Sequence, residues 1–374
     1  MKINVVEVTS RNLLSIFINL PAKIHADHKN WVPPIYLDDK SFFNKKKNKS
    51  FLHCDTILAL AFIEDKPVGR IMGIINRRYN KASGENDARF CFMETWNDPE
   101  VFHALISFIE DWAKQRSCDN LVGPLGFSDK DPEGFMIEGY DNPVVLSTNY
   151  NFPYMPELLI KEGYSKKVDC VVYKIPIPDV IPDFYKNIYT RAINNNQIKV
   201  VEFTSRKQIK PLIHPILELL NETFANIYAF DPFEEREMDD FANRYLLLLD
   251  PKFIKVITDL QGNILSFIIA MPDISQGIIA SKGYVIPFGI FKIISARRKA
   301  KQLNLLLGGV KQEYRGKGLD VVMGIKMLES ARNRGLNYID SHLELETNLL
   351  VRKEMERMGG IVYKRYRIFK KTIQ

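Results

Sequence analysis

The order of the predicted secondary-structure elements constrains this chain more than any single motif, because the same order occurs twice. Each half reads as a strand, a helical region, a β-hairpin, a strand, a helix, a strand, a helix and a closing strand. The hairpins are predicted at 57–76, around Asp65-Lys66-Pro67, and at 253–270, around Gln261-Gly262-Asn263. No residue-level repeat accompanies this order, so a duplicated α/β architecture is predicted from the elements alone.

The remaining elements follow from apolar periodicity and from capping signals such as Asp98 before Pro99. Strands are predicted at 4–9, 89–95, 119–123, 168–175, 198–203, 304–310, 338–345 and 361–369, and helices at 13–24, 98–116, 156–162, 209–224, 234–249, 319–333 and 349–358. The prediction assigns residues 1–178 to a first domain and 198–374 to a second. The segment 179–197 between them is predicted to be a linker that contains a short helix.

Composition and charge are compatible with two such domains. The 374 residues are 46% hydrophobic and 26% charged, which suffices for two cores. The net charge of +7 favours anionic partners, and basic residues cluster at 45–49, 297–301 and 364–371, although such runs are also typical of solvated surface. No aromatic motif is interleaved with these runs, so nucleic-acid binding is not expected.

Cysteine and histidine usage gives no indication of a disulfide or a metal site. Cys54, Cys91, Cys118 and Cys170 form no C-x-x-C pair, and the six histidines show no H-E-x-x-H spacing. We therefore expect reduced, partly buried thiols and no metal. No apolar run approaches the ~20 residues of a spanning helix, and the N-terminus shows no signal-peptide pattern. A cytoplasmic protein is expected, with peripheral contact at the inner membrane surface left open.

The most informative motif is Gly308-Gly309-Val310-Lys311-Gln312-Glu313-Tyr314-Arg315-Gly316-Lys317-Gly318-Leu319-Asp320, where a strand, a basic turn and a helix follow one another. The unpaired N–H groups at a helix start, together with the helix dipole, bind phosphate. Glycine lets the backbone approach such a ligand, and the Arg and Lys side chains of the turn add positive charge. This junction therefore predicts pyrophosphate binding.

In this context the junction resembles the GNAT acyltransferase superfamily, whose signature is [Gln/Arg]-x-x-Gly-x-[Gly/Ala]. Arg315 and Gly318 match its first two defined positions, while Asp320 stands where the family has Gly or Ala. The resemblance implies two domains that each have a mixed, mostly antiparallel sheet flanked by helices, and acetyl-CoA or a longer acyl-CoA as a substrate. The residues implied to bind it are Gly309, Val310, Arg315, Gly316, Lys317, Gly318, Leu319 and Asn348.

A second departure from the family concerns the leaving thiolate. The family's tyrosine, four residues before the glycine that ends the Asn348 helix, is Met355 here, so the usual proton donor is missing. Tyr363 or Tyr366 can substitute, or the thiolate can leave unassisted, because thiols have a pKa of about 8.5. Asp320 and Met355 together keep a second hypothesis open, in which a GNAT-fold protein binds CoA or another anionic ligand without catalysis.

The first half resembles the family only in its element order. Asp98-Pro99-Glu100 stands in place of a glycine loop, so we expect a degenerate copy that binds no CoA. The loop 123–143 is long, aromatic and acidic, and we expect it to pack against the second domain or the acceptor. Its alternating Asp129, Asp131 and Glu133 lack the glycine and the terminal glutamate placement of a calcium loop.

The candidate catalytic residues lie on the strand around 338–346, whose alternation places polar side chains on one face. The resemblance implies that a carboxylate or a histidine there deprotonates an attacking amine, and His342, Glu344 and Glu346 are the candidates. The alternative is that these side chains form a solvated face.

The segment 287–301 combines apolar residues at helical spacing, including Phe288, Phe291 and Ile294, with a following basic cluster. It suits a peripheral membrane contact or the lip of a channel for a long acyl chain. The alternative is a helix packed between the two domains. As a whole, the sequence predicts an acyl-CoA-dependent N-acyltransferase that acts on a small-molecule or lipid-like primary amine.

Overall fold

The computed structural model describes residues 2–146, 148–245 and 249–373. Within these ranges the strands are β1 (Ile3–Glu7), β2 (Cys54–Ile63), β3 (Lys66–Asn76), β4 (Asp87–Thr95), β5 (Asn120–Gly123), β6 (Phe135–Glu138), β7 (Ser165–Pro176), β8 (Lys199–Glu202), β9 (Ile254–Thr258), β10 (Ile264–Pro272), β11 (Gln302–Val310), β12 (Tyr338–Asp340), β13 (Glu344–Leu345) and β14 (Ile361–Thr372).

The helices in the same ranges are α1 (Arg11–Ile24), α2 (Tyr36–Phe42), α3 (Arg77–Ser83), α4 (Pro99–Lys114), α5 (Tyr154–Lys161), α6 (Asp183–Asn196), α7 (Arg206–Ile209), α8 (Ile213–Phe224), α9 (Glu235–Tyr245), α10 (Ser275–Ser281), α11 (Gly289–Lys299), α12 (Leu319–Asn333) and α13 (Leu349–Arg357). Residues 246–248 of the helix predicted at 234–249 lie outside the described residues.

All of these described strands join one sheet. Along it the order is β1-β2-β3-β4-β5-β14-β7-β12-β11-β10-β9-β8, while β6 pairs with β14 and β13 pairs with β7. The pairs β4–β5 and β11–β12 are parallel, whereas the hairpins and the central pair β7–β14 are antiparallel. The prediction of a mixed, mostly antiparallel α/β sheet flanked by helices is confirmed.

The sheet consists of two similar halves. In the first half the hairpin β2–β3 leads to β4, and in the second half the hairpin β9–β10 leads to β11. The pairing of β4 and of β11 with its hairpin contains a register shift in both cases. Each of these strands is followed by a helix, α4 or α12, and then by a short parallel strand, β5 or β12. The predicted duplication of the architecture is therefore present.

Each half contributes its closing strand to the other half. β7, the closing strand of the first half, pairs with β12 of the second half, with Lys174 opposite Asp340. β14, the closing strand of the second half, lies between β5 and β7, with Phe369 opposite Gly123. Because of this exchange, the hydrogen-bonded sheet runs across the domain division predicted at residue 178.

Helix α4 illustrates how local sequence and packing cooperate. Asp98 caps the helix by accepting hydrogen bonds from the N–H groups of Glu100 and Val101, and such a cap contributes about 1 kcal/mol. Helix α4 also has an apolar face, on which Leu105 and Ile109 are completely buried against the sheet. Burying one side chain of this kind contributes about 1.5–3 kcal/mol, so packing stabilises the helix more than capping does.

The prediction of one continuous strand at 338–345 is wrong. β12 ends at Asp340, β13 begins at Glu344, and His342 between them has a left-handed backbone with φ of 61°. The break is stabilised locally, because the Asp340 Oδ1 atom accepts a hydrogen bond from the His342 N–H at 2.8 Å. The polar side chains of 338–346 therefore do not follow the simple alternation of one strand.

The segment predicted as a linker contains α6, which is 14 residues long and packs against α12. Ala192 of α6 is buried in one cluster with Leu319, Val322 and Met323 of α12. The helix is therefore longer than the short connecting helix that was expected, and its apolar face supports the start of α12.

The described residues contain neither a membrane-spanning helix nor a metal-binding cluster. None of the helices there is long and apolar enough to cross a membrane. No cluster of three or more histidine, cysteine or acidic side chains in the described ranges is arranged to hold a metal ion. The four cysteines are buried free thiols.

Candidate functional site

A cleft opens in the sheet of the second half, between β11 and β12. The two parallel strands pair at Gln302, Leu303 and Asn304 of β11, after which the chain leaves β12 and joins β7 as β13. β11 continues to Val310. Among the described strands, residues 305–310 have β10 on one side and no partner on the other. This edge of β11 therefore lines the opening where the two strands splay apart.

The loop at the end of β11 leads directly to the N-terminus of α12. Gly316 and Gly318 in this loop have left-handed backbones, with φ of 74° and 84°. Gly318 is the N-cap residue, and no side chain caps the helix, so the N–H groups of the first turn point out of the helix end. A Cβ atom at Gly318 would lie 2.9 Å from Ile188 Cγ2 of α6. Both the backbone and the packing of α6 therefore require glycine at this position.

Positively charged side chains lie beside this helix start. Arg315 is exposed, and its Nε atom donates to the Val310 carbonyl oxygen at 3.3 Å. The ammonium group of Lys317 lies 4.7 Å from the centre of the Tyr314 ring. Asp320 is exposed in the first turn of α12, where a carboxylate interacts favourably with the helix dipole.

Other residues of the predicted motif hold the loop in place. A Cβ atom on Gly309 would lie 2.7 Å from Thr223 Oγ1 of α8 and 3.0 Å from Phe267, so glycine lets α8 pack directly on β11. Leu319 is completely buried, and Val310 packs against the same cluster between α6 and α12. These three residues position the loop by packing.

A buried polar network lies where β11 and β12 separate. Asp340 has no exposed surface, and its carboxylate accepts hydrogen bonds from the Tyr363 hydroxyl and from Lys364 Nζ, the latter at 3.2 Å. Burial and the Asp340 charge raise the pKa of the Tyr363 hydroxyl well above its usual value. Asn304, opposite Asp340 on β11, donates to Asp273 Oδ1 at 3.2 Å. The face that carries Asp340 is thus buried, and this residue was not among the sequence-selected candidates.

Two of those candidates, His342 and Glu344, lie close to this network along the chain. Burial is the main cause that lowers the pKa of His342, and the positive charge of Lys364 acts in the same direction. Glu344 keeps some contact with solvent, yet the atoms packed around its carboxyl raise its pKa to about 8. A neutral imidazole and a carboxyl that titrates near neutral pH are both able to accept a proton.

The third candidate base, Glu346, and the predicted pantetheine contact, Asn348, lie on either side of a turn. Glu346 pairs with Lys166 at 2.7 Å and accepts a hydrogen bond from the Asp169 N–H at 3.2 Å, so its carboxylate fastens the chain to the start of β7. Asn348 is the N-cap residue of α13, but its side chain makes no capping hydrogen bond. Met355, in the same helix, packs against the apolar core.

The corresponding opening in the first half is filled by the chain itself. Beyond the three residue pairs of β4 and β5, the Leu125 N–H donates to the Phe90 carbonyl oxygen at 2.8 Å. The Tyr154 hydroxyl donates to the Thr95 carbonyl oxygen at 2.8 Å, at the end of β4. The helix start that would face an anion is occupied by the carboxylate of Asp98.

The loop 123–143 packs against the second half, which is one of the two roles expected from the sequence. The Asp129 N–H donates to the Ala229 carbonyl oxygen at 3.3 Å, and the Lys130 ammonium group donates to the carbonyl oxygen of Asp231. Burial raises the pKa of Asp129 to about 7 and that of Glu133 to about 8. Asp129 therefore belongs to the contact between the halves, whereas Glu133 accepts a hydrogen bond from the Cys170 thiol of β7 at 3.5 Å.

Comparison with solved structures agrees with this geometry. The fold is similar to that of a tandem GNAT protein from the clavulanic acid biosynthesis pathway, with a TM-score of 0.57 at 10% identity, over 100% of this chain and 99% of that one. A GCN5-related N-acetyltransferase from Sphaerobacter thermophilus gives a TM-score of 0.52 at 12% identity, over 100% and 96%. The chain therefore has the fold of these GNAT proteins.

Two relatives are similar over nearly their whole length. The bacterial ceramide synthase of Caulobacter vibrioides is 25% identical over 378 residues, which cover 99% of this chain and 98% of that protein. Protein YghO of Escherichia coli is 26% identical over 385 residues, which cover 97% and 94%. No family model matches the chain.

Proposed function

We propose that the protein is an acyl-CoA-dependent acyltransferase whose acceptor is a primary amine, and that the acyl-CoA site is in the second half. The observation that carries the proposal is the N-terminus of α12, which has no side-chain cap and follows the open edge of β11 beside Arg315 and Lys317. Anions bind at such helix starts because the N–H groups and the dipole point at them. The GNAT fold and the relative named as a ceramide synthase support acyl transfer.

In this proposal the CoA pyrophosphate binds at 315–319, where two glycines let the backbone approach the ligand. The pantetheine arm follows the open edge of β11 at 305–310, with Asn348 facing it from the start of α13. A backbone N–H near Gly309 and Val310 stabilises the oxyanion that forms when the amine attacks the thioester. The donor is acetyl-CoA or a longer acyl-CoA.

The amine has to lose a proton for attack, and Glu344 and His342 are the proposed bases. At neutral pH the imidazole is uncharged, and a fraction of the Glu344 carboxyl is ionised because its pKa is about 8. The amine nitrogen bonds to the acyl carbon, the carbon–sulfur bond breaks, and CoA leaves as the thiolate. Because the pKa of Tyr363 is raised, departure of the thiolate without protonation fits the site better than proton donation by Tyr363.

For the acceptor we propose a lipid-like amine. The name of the Caulobacter relative supports this substrate class, because a ceramide is formed by N-acylation of a long-chain amino alcohol. The proposed acceptor therefore carries one primary amine and a long alkyl chain.

The first test is thermal unfolding with CoA, acetyl-CoA and a long-chain acyl-CoA, followed by turnover of a long-chain amine. A ligand at 100 times its Kd stabilises the folded state by about 2.7 kcal/mol. We expect this stabilisation in the native protein and in Arg236→Glu, a control at an exposed arginine of α9, but not in Arg315→Glu. No stabilisation by any of the ligands would remove the basis of the proposal.

A second candidate function is CoA binding without transfer, as the Asp320 and Met355 departures suggest. Asp320 places a carboxylate in the first turn of α12, and Met355 packs into the core instead of presenting a hydroxyl. Stabilisation by CoA with no turnover on any long-chain or short-chain amine would favour this candidate.

A further inference from the structure

The hairpin formed by α10 and α11 projects a group of apolar side chains into solvent. Tyr284, Ile286, Phe288 and Phe291 are 57%, 72%, 75% and 67% exposed, and Ile290 is also exposed. All five lie within eight residues of one another, whereas the other exposed large apolar side chains of the described residues occur singly or in pairs. Concentrated exposure of this kind is typical of an interaction surface.

The exposed tip rests on a firmly packed base, so its exposure does not reflect a loose segment. Ile278 of α10 and Ile293 of α11 are buried together. A Cβ atom on Gly277 would lie 2.6 Å from the Ile293 Cα atom, which shows how closely the two helices approach. Lys292 Nζ donates to the Ala280 carbonyl oxygen at 2.8 Å. The inner face of the hairpin is thus packed within the protein, and the Tyr284 ring, on one side of the tip, also contacts the Tyr36 ring with 4.9 Å between the ring centres. Ile286, Phe288 and Phe291 are the most exposed side chains of the tip.

The charge of the hairpin has one sign. The segment 274–301 contains no acidic residue, and it has six basic residues: Lys282, Lys292, Arg297, Arg298, Lys299 and Lys301. Five of the six are exposed, and Arg297 is half-buried. Lys282 and Lys292 flank the apolar tip in sequence, and the other four basic residues lie at or just beyond the C-terminal end of α11. An apolar tip on a hairpin that carries only positive charge matches anionic headgroups above a hydrocarbon interior. A second copy of this chain fits less well, because a symmetric contact would bring the same cations together.

The base of the hairpin borders the buried polar network of the cleft. Asp273, immediately before α10, accepts hydrogen bonds from Asn304 of β11 and from the Ser275 hydroxyl, the latter at 2.7 Å. Leu306, on the open edge of β11, packs against the same cluster as Ile278 and Ile293. The base of the hairpin is therefore in contact with this part of the cleft.

We propose that the α10–α11 hairpin docks onto a lipid bilayer with anionic headgroups, with Ile286, Phe288 and Phe291 inserted below the headgroups and the basic residues above them. The inference stands on exposure and charge, and it does not depend on the proposed acyl transfer. It deepens that proposal only by giving a lipid-like amine a route to the enzyme from a membrane.

The test is sedimentation with vesicles of phosphatidylcholine and with vesicles that also contain phosphatidylglycerol. We expect the native protein to sediment with the anionic vesicles, less so at high salt, because headgroup attraction is screened. The double variant Phe288→Asp, Phe291→Asp should lose at least about tenfold in vesicle affinity. The control Leu350→Asp replaces an 85% exposed leucine outside the hairpin and should bind like the native protein.

Arg298→Glu, Lys299→Glu should lose the preference for anionic vesicles while keeping the apolar tip. Unfolding curves that match the native protein establish that each variant is folded. The proposal is overturned if the folded native protein stays in the supernatant with anionic vesicles, or if the Phe288, Phe291 variant binds them unchanged. It is also overturned if the tip variants convert a dimer to a monomer without vesicles being involved. None of these outcomes depends on turnover, so a failed acyltransferase assay leaves the result intact.

Discussion

The two halves share a fold but differ at the N-terminus of the corresponding helix, α4 in the first half and α12 in the second. In the first half Asp98 places its own carboxylate on the N–H groups of α4. In the second half Gly318 begins α12 without any side-chain cap. The neighbouring cleft differs in the same sense, since Leu125 bonds to the edge of β4 while the edge of β11 at 305–310 has no described strand partner. The first half thus fills its helix start and strand edge with internal groups, whereas the second half leaves its helix start without a side-chain cap and 305–310 without a described strand partner.

A second difference lies at the base of each cleft. The last residue pair between β4 and β5 is Arg89 with Val122, and the last pair between β11 and β12 is Asn304 with Asp340. Val122 packs in an apolar cluster, whereas Asp340 binds Lys364 in a buried ion pair. The two halves thus differ in a few residues: the one at the helix cap, those that occupy the opening and the one at its base. Each of these can be replaced separately.

The largest loss in the free energy of unfolding is expected when Asp340 of the second half is replaced by valine, the residue that Val122 supplies in the first half. Asp340→Val leaves Lys364 buried without its carboxylate, and removing one partner of a buried ion pair costs about 3–5 kcal/mol. Denaturant unfolding measures the loss. The double variant Asp340→Val, Lys364→Met should recover much of this stability, and a double variant no more stable than the single one would contradict the assigned role of the pair.

The next effect concerns the affinity of the proposed anion site for CoA. Gly318→Asp gives α12 the carboxylate that α4 has, in a backbone conformation and a packed space that fit a side chain poorly. We expect the Kd for CoA to rise roughly 30-fold, or about 2 kcal/mol, measured by calorimetry. Gly335→Asn, beyond the C-terminal end of α12, is the matched control, because Gly335 also has a left-handed backbone, a side chain there meets open space, and asparagine tolerates this conformation. Equal CoA affinity in Gly318→Asp and the native protein would place the anion elsewhere.

The third prediction concerns two glutamates with raised pKa values, Glu133 in the first half and Glu344 in the second. The pKa of Glu344 and that of Glu133 are both raised to about 8 by burial. If Glu344 is the base, kcat/KM at lower pH rises about tenfold per pH unit and levels off near pH 8. Glu344→Gln should remove this limb of the profile. Glu133→Gln, in the filled half, should keep it, and loss of the limb in both variants would point to a shared structural effect.

The carboxyl groups of Glu133 and Glu344 should also make the free energy of unfolding fall as the pH rises. A carboxyl whose pKa is raised in the folded protein stabilises it fully only below the unfolded pKa of about 4.5, and that contribution is lost as the pH rises through about 8. Both glutamine variants should therefore lose less stability than the native protein between pH 5 and pH 9, as measured by unfolding at each pH.

The smallest effect is expected from removing the cap of the first half. Asp98→Ala should lower the free energy of unfolding by about 1 kcal/mol, because two N–H groups lose their acceptor. The affinity for CoA should not change, since the adjacent cleft is occupied by Leu125 and Tyr154. A new, weaker CoA site in this variant would show that the cap alone distinguishes the two halves.

The sequence predicted what depends on local signals. The hairpins, the cap at Asp98 and the strand–glycine–helix junction around Gly318 are each encoded within a few residues, and the structure contains all of them. The exchange of β7 and β14 was not predicted, because it pairs Phe369 with Gly123, far apart in the chain. The Asp340–Lys364 ion pair depends on that exchange, so reasoning along single strands could not select Asp340.

The exchanged strands have a consequence for how the chain acquires its structure during synthesis. β14 follows every other described element in sequence, yet it fills the place between β5 and β7 in the middle of the sheet. A ribosome delivers the chain from its N-terminus, and domains ordinarily fold in that order. Here the sheet of the first half stays incomplete, with the edges of β5 and β7 unpaired, until β14 has emerged from the ribosome. A nascent chain stalled before Ile361 should therefore expose two open sheet edges and bind chaperones that recognise extended segments, and synthesis of the twelve residues of β14 should end that exposure.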